Sequence, residues 1–219
     1  MPRYAAVEVV ACDFAGVLTE PLEATFERFC ARADITVAQF TTAMHEVSEV
    51  AGMPGHDVIS LGVWTEDHWA AELASALRRR TGRDFDLSAF GARWWFPGRG
   101  RNEEFLGYLA GLRAEGVRLA MITNNVREWE PSWRAMLPES EQLFETVVNS
   151  CEVGVVKPDR RIFDLTAERL GVEPGRCVMV DDLSDNSVGA AAAGWHAVQF
   201  TDNARVVKEL DRLLGRGVD

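Results

Sequence analysis

Val7-Glu8-Val9-Val10-Ala11-Cys12 runs without a break into Asp13-Phe14-Ala15-Gly16-Val17-Leu18-Thr19. The first six residues form a short, mostly apolar and largely β-branched run of the kind that makes a buried strand. A carboxylate at the carboxyl end of that strand, followed by a glycine that permits a tight turn, can present an oxygen nucleophile at the edge of a sheet. Asp before Gly is also ordinary turn chemistry. The meaning of Asp13 therefore depends on what the rest of the chain places beside it.

Four further apolar runs read as buried strands: Val117 to Ile122, Thr146 to Val148, Cys177 to Val180 and His196 to Phe200. Amphipathic stretches alternate with them. Ile162, Leu165, Thr166, Arg169 and Leu170 share one helical face, Val188 to Gly194 reads as a small-residue helix, and Val206, Leu210, Leu213 and Leu214 give a last helix. Strand alternating with helix predicts an α/β fold with a doubly wound, mainly parallel sheet.

The first interval breaks that rhythm. Roughly 80 residues separate the first strand from the helix predicted over Asn102 to Glu115, far more than a crossover needs. The interval reads as helical over Leu22 to Ala33, Val37 to Val50, Val63 to Thr81 and Leu87 to Trp94, with Pro21 and Pro97-Gly98 as hinges. The expected organisation is an α/β core over residues 1–19 and 98–219, with an all-helical cap over 20–97. Such a cap would lie over the carboxyl ends of the strands, where open α/β sheets bind ligands. Trp64, Trp69, Trp94, Trp95 and Phe96 are expected to supply mainly the cap's own core, with Trp94 to Phe96 offering an apolar wall beside the hinge. The Arg78-Arg79-Arg80 run reads as a solvated helix end favoured by the macrodipole.

Three more motifs fall at predicted strand ends. Ile122-Thr123-Asn124-Asn125 offers a hydroxyl, an amide and backbone N–H groups to phosphate oxygens, or equally a helix N-cap. Lys157 lies in Gly154-Val155-Val156-Lys157-Pro158-Asp159, with Pro158 expected in the first turn of the next helix. Lys157 and Lys208 are the only lysines among 23 basic residues, which singles out the one beside a strand end. Asp181-Asp182, with Asp185 nearby, crowds like charges and calls for a cation. Oxygen-only ligands favour Mg²⁺.

Together these motifs resemble the haloacid dehalogenase superfamily, across roughly residues 5–19 and 98–215. Asp13 to Leu18 resembles its first motif, Thr123-Asn124 the second, Lys157-Pro158 the third and Asp181-Asp182 the fourth. The resemblance implies a Rossmann-like core and a phosphatase. Asp13 would attack phosphorus and form an aspartyl-phosphate that water hydrolyses. Thr123, Asn124 and Lys157 would hold the phosphate. Mg²⁺ would be held by Asp13, the carbonyl of Ala15 and Asp182, with Asp181 direct or through water, and Asn186 would order the loop.

One position departs from the pattern. Family phosphatases usually carry a second Asp two residues after the nucleophile as general acid and base, and here Ala15 stands there. Dehalogenases of halo-acids tolerate this but lack the paired acids kept as Asp181 and Asp182. Phosphonoacetaldehyde hydrolase resembles Asp13-Phe14-Ala15-Gly16, but needs a cap lysine that no position before Gly154 supplies. The remaining branch is phosphatases with a small residue at this place, which Ile122 to Asn125 with Trp129 and Trp133 resembles most. A substitute acid is sought among His45, Glu46, His56, Asp57 and His68, or an undemanding leaving group such as an anomeric phosphate makes one unnecessary. A divergent, non-catalytic binding protein is the competing class.

Composition bounds the partners. The chain has 219 residues, 47% hydrophobic and 26% charged, with a formal charge of −11. That balance fits a folded α/β unit and disfavours a nucleic-acid partner. No apolar stretch approaches a membrane span, so a soluble, cytoplasmic monomer or homodimer acting on a small phosphate ester is expected, without a membrane partner. Cys12, Cys30, Cys151 and Cys177 have no metal-site spacing and read as reduced, packed thiols.

Overall fold

A computed structural model describes residues 7–95 and 99–216, without the side chain of Trp95. Phe96 and the Pro97-Gly98 hinge expected from the sequence lie outside the described residues. Five strands, β1 (Val9–Cys12), β2 (Arg118–Thr123), β3 (Thr146–Asn149), β4 (Cys177–Asp181) and β5 (His196–Gln199), pair in the order β3-β2-β1-β4-β5. Every pairing is parallel, with Cys12 opposite Met121 on one side and Val180 on the other.

The strands sort their side chains by the period of two that a pleated backbone imposes. Val10, Cys12, Leu119, Met121, Val178 and Val180 enter one core. Val9, Ala11, Ala120, Ile122, Cys177 and Met179 enter the other. Both faces are therefore covered, which is why these runs are apolar throughout rather than alternating. The four cysteines are free and buried.

Between β1 and the next core helix stand α1 (Leu22–Arg32), α2 (Val37–Ala51), α3 (Asp57–Ser60), α4 (Glu66–Thr81) and α5 (Phe90–Trp95). The helix expected from Val63 instead begins at Glu66, because Thr65 caps it by accepting from His68 N (3.3 Å). Thr36 closes a reciprocal capping box with Gln39 at the start of α2. Phe90 is the hub of this insert, with Phe29 at 4.6 Å and Trp69 at 4.8 Å between ring centroids. Arg79 and Arg80 pair with Glu46 on α2, and Arg78 with Asp84.

The chain continues through α6 (Glu103–Ala114), and α7 (Glu130–Met136) and α8 (Ser140–Leu143) follow β2. α9 (Ser150–Val153) and α10 (Arg160–Leu170) follow β3, α11 (Ser184–Ala192) follows β4, and α12 (Asn203–Leu213) ends the fold. Among the described residues no helix is long and apolar enough to cross a membrane.

The two connections between insert and core are tied to each other. Glu20 N donates to Gly100 O (2.9 Å), Asn102 N to Leu18 O (2.9 Å), and Thr19 and Arg101 form an antiparallel bridge. Asn102, which caps α6, also reaches Val17 O through Nδ2 at 2.9 Å.

Candidate active site

Because the strands are parallel, Asp13, Thr123 and Asp181 emerge at one edge of the sheet, each at or just after a strand's carboxyl end. Asp13 N still donates to Val180 O (2.9 Å), so the carboxylate leaves the sheet at a fixed point. Its Oδ1 accepts from Phe14 N at 2.7 Å and from the Lys157 ammonium at 2.9 Å. Lys157 Nζ also lies 2.6 Å from Asp181 Oδ2, and the Lys157 and Asp181 side chains are fully buried.

Asp181 is saturated by further donors: Leu183 N at 3.0 Å and Asn186 Nδ2 at 3.0 Å both reach Oδ1. Asp182 differs. Its Oδ1 is buried and has no hydrogen-bond partner among the described residues, an expensive condition for a carboxylate oxygen unless a cation meets it. One carboxylate oxygen from each of Asp13, Asp181 and Asp182 can be chosen so that all lie within 4.8 Å of one another. Three carboxylates thus face one ammonium, an arrangement suited to a hard cation with oxygen ligands.

The protonation equilibria carry the same message. Burial pushes Asp13 above the ordinary carboxylate range, against the opposing pull of Lys157 and with Asp181 and Asp182 adding to the rise. Burial, then the Asp181 charge, pushes Asp182 up to about 6. Burial alone would lower the Lys157 ammonium, but Asp13 and Asp181 reverse this and hold it above its usual value.

The other residues singled out in the sequence are placed as follows. Thr123 is buried at the end of β2. It does not cap a helix: the next helical turn, Arg127–Trp129, starts after Val126, whose N–H donates to Asn125 Oδ1 (2.9 Å). The Asn124 amide donates to Lys157 O (2.9 Å) and accepts from Lys157 N (2.8 Å). That reciprocal pair fixes the lysine's backbone. Pro158 is not in the first turn of α10, since the helix begins at Arg160 and Asp159 caps it through Arg161 N. Asp181, which ends β4, and Asp182 do not supply a side-chain cap for α11 either.

Ala15 is partly buried, two residues after Asp13. Of the five insert side chains considered as substitute acids, four have contacts within the insert. His56 Nδ1 meets Ser60 Oγ at 3.1 Å, and His68 stands edge-on to Trp64 with centroids 4.5 Å apart. Glu46 is taken by Arg79 and Arg80, Asp57 interacts with His56, and His45 is exposed on α2.

Three groups that sequence reasoning passed over stand close to the motifs. Arg99 is a buried arginine that donates Nε (3.2 Å) and Nη2 (3.0 Å) to Thr19 Oγ1, which also accepts from Gly16 N (3.1 Å). Burial lowers its guanidinium to about 10, while the Asp13 and Asp182 charges pull the other way. Glu66 on α4 accepts from Gly91 N (2.9 Å) and from Trp129 Nε1 (3.0 Å), which joins the insert to the segment after Thr123. Ser150 makes a second joint, donating to Ser60 O (2.7 Å) and accepting from Asn125 N (3.1 Å).

Known proteins resemble this chain in the same terms. Bifunctional epoxide hydrolase 2 of Rattus norvegicus is 25% identical over 218 residues, 96% of this chain and 39% of that protein. Glyceraldehyde 3-phosphate phosphatase of Methanothermobacter thermautotrophicus is 33% identical over 114 residues, 51% of this chain and 49% of the relative. Acyl-CoA dehydrogenase family member 10 of Mus musculus is 38% identical over 107 residues, 49% of this chain and 10% of its own length. The matched segments thus span about half or less of these relatives.

Among solved structures, a HAD-like family hydrolase from Porphyromonas gingivalis superposes with a TM-score of 0.68 at 20% identity, covering 96% of this chain and 98% of that one. A HAD family enzyme from Bacteroides thetaiotaomicron, in complex with magnesium and inorganic phosphate, gives 0.62 at 20% identity, covering 89% and 94%. These two share the fold. The sequence match that carries the assignment runs over residues 7–194, from the strand before Asp13 past the acids after β4, and by it the chain belongs to the haloacid dehalogenase-like hydrolases.

Proposed function

We propose that this protein is a Mg²⁺-dependent phosphatase that hydrolyses a small phosphorylated metabolite through an aspartyl-phosphate on Asp13. The observation that carries the reading is Lys157 buried between Asp13 and Asp181, with Asp182 completing the acidic cluster. The glyceraldehyde 3-phosphate phosphatase relative supports phosphomonoester chemistry.

Asp13 Oδ1 is held by Lys157 and Phe14 N, which sets the carboxylate plane and directs the second oxygen to phosphorus. The oxygen–phosphorus bond to Asp13 forms as the bond to the leaving oxygen breaks. Water then attacks phosphorus, releasing phosphate and restoring the carboxylate. Thr123 and Lys157 bind the transferring oxygens, and Asn124 serves by holding the Lys157 backbone in place.

The donor set fits Mg²⁺, because the buried Asp182 Oδ1 has no hydrogen-bond partner and is a carboxylate oxygen. Asp13, Asp182 and the Ala15 carbonyl would hold the ion, and Asp181, already occupied by three donors, would reach it through water. Bound there, Mg²⁺ supplies positive charge to the phosphate oxygens and to the crowded carboxylates.

Ala15 leaves the departing oxygen without the customary acid. General acid help is worth about 10²–10⁴ in rate, so leaving groups of low basicity are favoured. Anomeric phosphates meet that condition among metabolites.

Ala15 also motivates the rival reading of a non-catalytic binding protein, and the same assay separates the two. Phosphate release from a panel of phosphomonoesters with Mg²⁺ should be measurable and should vanish in Asp13→Asn. A silent panel, with no binding of beryllofluoride, would sink the enzyme.

A further inference from the structure

A second cluster of charge lies next to the nucleophile's loop and takes no part in the chemistry above. Arg28 and Arg32 of α1, Arg93 of α5 and Arg99 of the returning connection line one small cavity of about 10 Å³, together with Thr25 and Trp94. Four guanidinium groups share a lining that contains no carboxylate among the described residues, in a chain whose formal charge is −11. Concentrating cations against the overall charge is how a protein marks a place for an anion.

The cavity connects to the catalytic loop through short contacts. Arg99 donates to Thr19 Oγ1, Thr19 Oγ1 accepts from Gly16 N, and Gly16 lies against the Asp182 carboxylate. Arg99 forms the floor and is buried. Arg28, paired with Glu20, and Arg93, paired with Asp86 Oδ2 at 2.6 Å, form a rim with side chains 39% and 46% exposed. The space holds roughly one water-sized group, enough for a single anionic oxygen. Guanidinium forks are the groups best suited to bind carboxylate or phosphate oxygens.

We propose that this cavity is a specificity subsite for a second anionic group, so that the substrate is a small phosphomonoester that also carries a carboxylate or a second phosphate. The proposal rests on the phosphatase reading and adds the substrate class. Binding energy from the remote anion would position the phosphate over Asp13. It would also disfavour alkyl and sugar phosphates that carry no second anionic group.

The test compares ethyl phosphate, 2-phosphoglycolate and ethylene glycol bisphosphate as substrates for the whole chain with Mg²⁺. One or both of the esters with a second anionic group should exceed ethyl phosphate in kcat/KM by about tenfold or more, and the ratio should fall by about tenfold in Arg93→Gln and in Arg32→Gln. The carboxylate and bisphosphate arms tell the two anion sources apart. Arg99→Lys tests the buried floor with charge retained, and its melting temperature separates misfolding from lost recognition. A ratio near one, or a ratio indifferent to these substitutions, overturns the subsite even though ethyl phosphate is hydrolysed. If none of these esters and no member of the wider phosphomonoester panel is hydrolysed, the phosphatase reading fails instead. The subsite is then judged by calorimetric binding of 2-phosphoglycolate to Asp13→Asn, where unchanged affinity in the added Arg93→Gln variant rejects it.

Discussion

Gly16 lies so close to Asp182 that a methyl group added to its Cα would stand 2.3 Å from Asp182 Oδ2. Its φ of +84° adds a second demand that only glycine meets without strain. The turn after Asp13 and the acid after β4 are therefore shaped to one another. Gly16→Ala should displace both carboxylates and reduce kcat/KM by on the order of 10²-fold, as misplacement by about an ångström commonly does. Phosphate release and a Mg²⁺ titration check this, and near-normal values for both would show that the contact is slack.

Lys157 is the only cation found in direct contact with both Asp13 and Asp181 among the described residues. Replacing it with methionine keeps the bulk and removes the charge. Stranding buried carboxylates in this way should cost on the order of 3–5 kcal/mol. Urea unfolding in the presence of EDTA measures the loss. Adding Asp13→Asn should return part of it, since the two sites are coupled, and strict additivity would contradict the contact.

The acids themselves predict a dependence on pH. Asp182 is raised to about 6, and Asp13 is raised as well. A carboxylate whose folded value exceeds its unfolded one favours folding when protonated. Its contribution is full below the unfolded value and is lost as pH rises through the folded one. Without divalent metal, this site should therefore lose stability between about pH 5 and pH 8. The gain in melting temperature on adding Mg²⁺ should be larger at pH 8 than at pH 5.5, and an equal gain at both would argue against these acids as ligands.

Ala15 offers a gain-of-function test. Ala15→Asp should raise turnover of ethyl phosphate by about 10²-fold through general acid help, while p-nitrophenyl phosphate, whose leaving oxygen needs little protonation, should change far less. Equal effects on both would mean that the proton is already delivered by another group.

Much of this was visible in the residues. Val9 to Cys12, Leu119 to Ile122 and Cys177 to Val180 are buried on both sides, so they had to be apolar runs. The motifs sit where those runs end, and a parallel sheet gathers such ends at one edge. What escaped detection depends on partners far away in the chain. Arg99 is one arginine among many, and only folding reveals that it meets Thr19. Asn124 could equally have faced a ligand, because its choice of the Lys157 backbone is set by the approach of a segment 33 residues away. Pro158 followed a sound positional rule and still fell outside its helix, because Asp159 offered the better cap.

The indole of Trp129 fills the space that a side chain at Gly91 would need, since a Cβ there would come within 2.1 Å of it, while its Nε1 is taken by Glu66. This makes the insert a fitted part rather than an interchangeable one. Lineages that exchange helical inserts to reach new substrates would have to carry the glycine, the glutamate and the indole together, or accept a loose joint beside Thr123. Swapping residues 22–95 with a relative's insert should succeed only where the incoming insert brings a glycine and a glutamate to meet Trp129 as Gly91 and Glu66 do.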